Sequence, residues 1–237
     1  MPLQTVAPQR LYQQIADQLR TLITAGEFTP GSRLPAERDL AKQLGVSRPS
    51  VREALIALEV EGWVEVRTGS GVYVQDRSTT AARGNPITVN EWGPLELIRA
   101  RRVLEGEIAS LAATMAKRKD IAAMRLALAD MVRDADAGTL PIEGDRAFHS
   151  AIVQSTGNTV LIETIHGFWD SRRGPLFERL GGYFETVASW RSAIAEHTAI
   201  LDAIVAHDAP GARAAMHAHM DKSHTRFSAS WRRAKAS

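Results

Sequence analysis

From residue 11 onward the apolar positions fall into helical rows. Leu11, Ile15, Leu19, Leu22 and Ile23 recur at the spacing of one helix face, and Gly26 ends the row. A turn-rich stretch, TPGSRLP, follows. Leu40, Ala41 and Leu44 then mark a short amphipathic helix from Ala36, closed by Gly45, which accepts the left-handed backbone of a tight turn. Ser47 is placed to cap a third helix. Pro49 falls in that helix's first turn, where a missing N–H costs little, and Val51, Leu55 and Leu58 form its buried stripe. After Gly62 the period changes to two: WVEVRTGSGVYV alternates about Thr68-Gly69-Ser70-Gly71, the pattern of a β-hairpin. Three helices and a hairpin predict a winged helix-turn-helix over residues 8–76.

Residues 77–93 are polar and aperiodic, with the composition of a linker. Long helical patterns then cover about 94–118, 119–137, 141–156, 158–180, 183–207 and 209–232, broken at Gly138, Gly157, Gly181-Gly182 and Pro210-Gly211. No strand pattern interrupts them. The expected fold is mainly α, a winged helix-turn-helix followed by an all-helical bundle over residues 94–232.

Hydrophobic residues make up 44% and charged residues 24%, which argues against a disordered chain. Cysteine is absent, and this removes disulfide frameworks, zinc fingers and thiol nucleophiles together. With no signal-peptide layout and no apolar run long enough to span a membrane, a soluble cytoplasmic protein without a membrane partner is expected. The net charge is only +2, and residues 1–76 hold eight Lys/Arg against nine Asp/Glu, so bulk charge does not argue for nucleic acid. Local clustering does: Arg33, Arg38, Lys42, Arg48 and Arg52 lie within twenty residues.

A helix, a tight turn and a second helix with basic residues at its start place side chains on base edges in the major groove. Arg48 and Arg52 are four apart and share a face opposite Val51, Leu55 and Leu58. An arginine can grip guanine O6 and N7 with both prongs. A solvated helix face is the plainer account of any one such arginine, and turn chemistry alone explains Gly69. The run PGSRLPAERDLAKQLGVSRPSVREALIALEVEGWVEVRTGSGVYV, however, resembles the DNA-binding domain of the GntR family of bacterial repressors, the match covering most of residues 11–74. That resemblance implies operator contacts by Arg38, Arg48 and Arg52, with Ser47 and Ser50 on backbone or bases and Gly69 near the minor groove. Pro49 departs from the small polar residue usual at its position and removes a donor there.

In the helical region Asp145 and His149 are spaced i, i+4, beside Ile152 and Val153. His197 shares a face with Ile194, Leu201, Ile204 and Val205, and His219 one with Met216 and Met220, whereas His217 is expected to be exposed. A lone inward histidine is ordinarily a satisfied core residue. Three of them with an aspartate suit a divalent ion: zinc first, nickel or manganese next. Residues 94–230 also resemble the FCD-type effector domain of the FadR subfamily. Its metal-binding members carry Asp-x-x-x-His, Glu-His and Ala-Met-x-x-His, here Asp145/His149, Glu196-His197 and Ala215-Met216 with His219. The resemblance implies a metal at the floor of a pocket for a carboxylate metabolite. Arg102 is the expected anion-pairing residue, against a surface salt bridge with Glu105 or Glu107, and Trp169, Arg172 and Arg173 are expected near the pocket. The segments FWDSRRGPLFERL and ELIRARRVLEGEIA resemble those of hexuronate and sugar-acid regulators.

The expected protein is a homodimeric repressor, not an enzyme, which binds double-stranded operator DNA under control of a sugar acid held at a metal. A purely structural metal and a metal-dependent enzyme are the alternatives. The enzyme needs an open coordination position and a general base; no dedicated base is evident, because Glu196 is expected to face away from His197.

Overall fold

A computed structural model describes residues 9–76 and 91–229, which contain ten helices and one two-stranded sheet. The expected linker falls largely on 77–90, outside the described residues. Residues 9–76, 91–94 and 174–180 gather in one compact unit; 95–173 and 181–229 form a second.

The first unit opens with α1 (Leu11–Thr24), whose buried face is Tyr12, Ile15, Ala16 and Leu19. Leu11 and Leu22, expected on that face, are 48% and 41% exposed. The buried row takes Tyr12 because its hydroxyl finds a partner inside, donating to the Glu91 carbonyl at 2.9 Å. Next is α2 (Glu37–Leu44), which ends at Gly45 in the left-handed region, φ 66°. The turn leads to α3 (Arg48–Val60), where the Ser47 hydroxyl accepts from Ser50 N–H at 3.3 Å. Strands β1 (Val64–Arg67) and β2 (Gly71–Val74) pair antiparallel, Val64 opposite Val74 and Val66 opposite Val72. The stretch read as turn-rich also joins the wing: Leu34 N–H donates to the Val72 carbonyl and Val74 N–H to the Ser32 carbonyl, both at 2.9 Å.

The remaining helices are α4 (Pro94–Met115), α5 (Arg118–Asp136), α6 (Ile142–Ser155), α7 (Thr159–Ser171), α8 (Pro175–Phe184), α9 (Val187–Val205) and α10 (Ala209–Phe227), all in the second unit except Pro94 and residues 175–180 of α8. The pattern expected as one helix over 158–180 is two. Pro175 cannot donate an intrahelical hydrogen bond, so it starts a helix instead of continuing one. Gly181 and Gly182, expected as a break, lie inside α8; the break falls at Thr186, whose hydroxyl accepts from Ser189 N–H at 3.1 Å. Phe148, Ile152, Ile165, Ile200, Ile204, Met216 and Met220 are almost wholly buried and make the core around which the polar site is built.

Arg52 overturns one expectation. It is fully buried, not exposed beside Arg48, and its guanidinium donates to both Glu37 carboxylate oxygens at 2.7 and 2.8 Å. The helix is buried over Val51–Leu58 on more than one face, so the i, i+4 spacing carries only Arg48 to the surface. Removing one member of a buried pair strands the other charge, at a cost of about 3–5 kcal/mol. Arg52→Ala should therefore lower unfolding stability by about 3 kcal/mol in a urea titration; a loss of only a few tenths would show the pair to be dispensable.

Candidate nucleic-acid interface and metal centre

In the first unit, Arg38, Arg48 and Gly69 line one open cleft of about 420 Å³ between the wing and the start of α3. Arg38 and Arg48 present side chains that are 82% and 53% exposed. Each has a carboxylate neighbour, Asp39 at 3.2 Å and Glu37 at 3.1 Å, but both guanidinium groups are exposed enough for phosphate or a base edge to compete. Ser47 and Ser50 share a hydrogen bond between their hydroxyls at 2.8 Å at the head of α3. Gly69 holds the wing turn at φ 78°. Arg52 lies beneath this surface, supporting Glu37, which in turn steadies Arg48.

In the second unit, α6, α9 and α10 bring Asp145, His149, His197 and His219 together, all buried, with one candidate ligand atom from each inside a 4.8 Å span. Each imidazole is tied at Nδ1. His149 Nδ1 meets Glu105, His197 Nδ1 donates to the Ala193 carbonyl at 2.6 Å, and His219 Nδ1 to Glu196 at 2.8 Å. All three partners are acceptors, so Nδ1 carries the hydrogen and each ring, in its neutral form, turns an Nε2 lone pair inward. These lone pairs crowd one another and a carboxylate: His149 and His197 Nε2 are 3.2 Å apart, and Asp145 Oδ1 is 2.8 Å from His197 Nε2 and 3.4 Å from His149 Nε2. Asp145 Oδ1 is buried without a hydrogen-bond donor. Four converging acceptors with outer atoms fixed are what a divalent cation requires, and the set of three imidazoles and one carboxylate fits it.

The four groups feel different surroundings. Burial works against the Asp145 carboxylate, but the close imidazoles of His149 and His197 hold it well below the usual range. Burial, reinforced by the neighbouring His197 and His149 imidazoles, holds His219 far down and so neutral, the form that ligates. For His149 burial is outweighed by Glu105 and Asp145, which raise it. Glu105, also penalised by burial, is held at about 2 by Arg101 and His149.

Beside Asp145 and His219 lies a cavity of about 20 Å³, lined also by Arg101, Arg172, Glu185 and Arg226. Arg172 donates to Asp145 Oδ2 at 2.8 Å and to Glu185 at 3.1 Å. Trp169, 2% exposed, has the guanidinium carbons of Arg101 and Arg172 each 4.6 Å from its ring centre. The structure thus brings Trp169 and Arg172 to the site. Arg102 and Arg173 lie elsewhere: Arg102 pairs with Asp221 at 2.7 Å, neither of the carboxylates weighed for it, and Arg173, 62% exposed, faces Glu143 at 3.4 Å. One residue accounts for the first difference. Ile98, Arg101, Glu105, Ile108 and Ala112 form the buried row of α4, so Arg101 points inward. Glu105 and Glu196 were likewise missed as partners of the imidazoles, although Glu105 sits on that apolar row. His217, expected exposed, is half-buried against Gly106.

Residues 11–74 match the family model described as bacterial regulatory proteins, gntR family, and residues 96–222 match the FCD domain. The chain is 39% identical over 218 residues to the Uxu operon transcriptional regulator of Escherichia coli, covering 90% of this chain and 85% of that protein. It is 38% identical over 220 residues to the E. coli Exu regulon transcriptional regulator, with 90% and 83% covered. Among solved structures, E. coli McbR/YncC aligns with a TM-score of 0.50 at 25% identity, covering 92% of this chain and 97% of that one.

Proposed function

Because the chain belongs to the GntR family of bacterial DNA-binding transcription regulators, with an FCD domain, we propose that it is a repressor released from its operator by a sugar acid bound beside a divalent metal. The observation that carries the sensing half is the convergence of three Nε2 lone pairs on Asp145 Oδ1, each ring fixed from behind. Asp145, His149, His197 and His219 hold the metal, zinc before nickel or manganese. A bound divalent cation there supplies a fixed positive charge that attracts a carboxylate. Arg101 and Arg172 supply further donors for that carboxylate, and Glu185 offers an acceptor for a ligand hydroxyl. A cavity of about 20 Å³ holds roughly one water, so a sugar acid enters only as these side chains part. The Uxu and Exu regulators among the relatives support the effector class.

The unit reads as a sensor and not as an enzyme. The carboxylates around the imidazoles are already engaged: Glu105 with Arg101 and His149, Glu196 with His219 and Lys222, Glu185 with Arg172. On the DNA side, Arg38 and Arg48 contact the operator, with Ser47 and Ser50 on backbone or bases and Gly69 near the minor groove. Arg52 positions Glu37 and Arg48 instead of reaching DNA itself. One winged helix reads only a few base pairs, so the chain acts in the cytoplasm as a homodimer on a short palindrome. By linkage, a ligand that weakens DNA binding binds the DNA-bound form less tightly.

Selection from a random duplex pool with the zinc-loaded chain should return a palindrome whose binding is weakened by sugar acids. A non-palindromic preference, or turnover of the acid, would sink the reading. His197→Ala and His219→Ala should each take zinc below one ion per chain by elemental analysis, and full occupancy in both would place the metal elsewhere. Arg101→Ala should weaken sugar-acid binding at least tenfold in calorimetry of the metal-loaded protein, while Arg102→Ala leaves it unchanged; the reverse order would return the role to Arg102.

A further inference from the structure

Arg33 stands apart from the other arginines of the first unit. Its segment is pinned along β2 by the Leu34 and Ser32 backbone hydrogen bonds and by Gly31 N–H, which donates to the Val74 carbonyl at 2.8 Å. Its backbone is thereby held opposite Tyr73. The side chain crosses Gly71, so closely that a methyl group at that position would lie 2.4 Å from Arg33 Nε. Gly71, at φ 135°, leaves open the path by which the guanidinium reaches the cleft between wing and α3.

Three arginines line that cleft, and two are matched: Arg38 with Asp39, Arg48 with Glu37. Arg67, across the wing, is matched with Glu65 at 2.8 Å. Arg33 has no carboxylate, carbonyl or ring partner among the described residues. A rigidly based, exposed guanidinium without an internal anion favours an external one, and its fork of N–H donors suits phosphate oxygens.

We propose that Arg33 is a phosphate clamp, gripping the DNA strand that passes between the groove read by α3 and the groove approached by the wing. The proposal rests on the DNA-binding reading of this unit. When a recognition helix occupies the major groove and a wing tip the adjacent minor groove, the element that separates them is one phosphodiester strand. The cleft lies between those two protein elements, and Arg33 enters it from the wing side. Because it projects from the wing and not from the reading helix, its contribution is blind to sequence.

A labelled duplex of arbitrary sequence, titrated with the full-length protein at a series of KCl concentrations and followed by fluorescence anisotropy, tests this. Each phosphate contact contributes about 0.9 to the slope of log affinity against log salt. Arg33→Ala should flatten the slope by about that amount, and Arg33→Lys should retain it. Arg133→Ala, which removes an exposed arginine on α5, should leave the slope alone. An unchanged slope in Arg33→Ala, or an equal loss in Arg133→Ala, overturns the clamp while the regulator reading stands. A wild-type chain with no salt-dependent binding would overturn both.

Discussion

A buried imidazole has two nitrogens to satisfy, and the second unit is arranged around how it satisfies three of them. With Nδ1 of His149, His197 and His219 committed to acceptors, the tautomer of each ring is settled before any ligand arrives, and so is the direction of its free lone pair. The consequence reaches well beyond the four converging residues. Glu105 must be on α4 at the level of His149, and Arg101 must sit one turn before it to keep that carboxylate charged where burial disfavours it. Glu196 must face α10 and not α6. The packing of α4, α6, α9 and α10 around Phe148, Ile200 and Met216 holds these registers, since a slip by one residue would leave a buried carboxylate facing hydrocarbon.

The first unit solves a related problem with the opposite outcome. Glu37 is nearly buried and carries one negative charge against two arginines, of which only Arg52 is also buried. The inner pair is rigid because breaking it would strand a charge. The outer arginine, half in water, is held loosely enough to exchange partners. One carboxylate thus divides two residues of one helix into a buried support and an exposed arginine, the one proposed to read DNA. Such a surface needs little excess of basic residues, which is why a DNA-binding unit with more acidic than basic side chains is physically reasonable.

The helices, the wing and the four converging residues were legible in the sequence because each depends on periodicity or on a local motif. Asp145 and His149 are one turn apart, and apolar neighbours reveal which way His197 and His219 point. The errors lie where long-range pairing decides. Arg52 looked exposed because spacing shows which residues share a face but not that Glu37, fifteen residues earlier, covers it. Arg102 rests on the family resemblance alone, whereas the apolar row from Ile98 through Ala112 turns Arg101 inward, a signal the sequence does carry. Glu196, expected to face away from its neighbour His197, reaches His219 on another helix, and adjacency in sequence says nothing of that.

The smallness of the cavity beside Asp145 follows from the same accounting of charge. Arg172 reaches both Asp145 and Glu185, so its positive charge is already shared between two carboxylates. Glu185 remains harder to ionise than usual, because burial and the nearby Asp145 outweigh the help from Arg172. An acid entering beside the proposed metal would not simply add a contact, since the arginine facing it is engaged. It must replace a carboxylate of the protein at that arginine. The differential energy available for switching is then that of one anion exchanged for another, plus whatever the displaced Glu185 gains in its new surroundings. A ligand with hydroxyl donors next to its carboxylate can offer Glu185 a partner in the same step, whereas a bare carboxylate leaves that buried group with none.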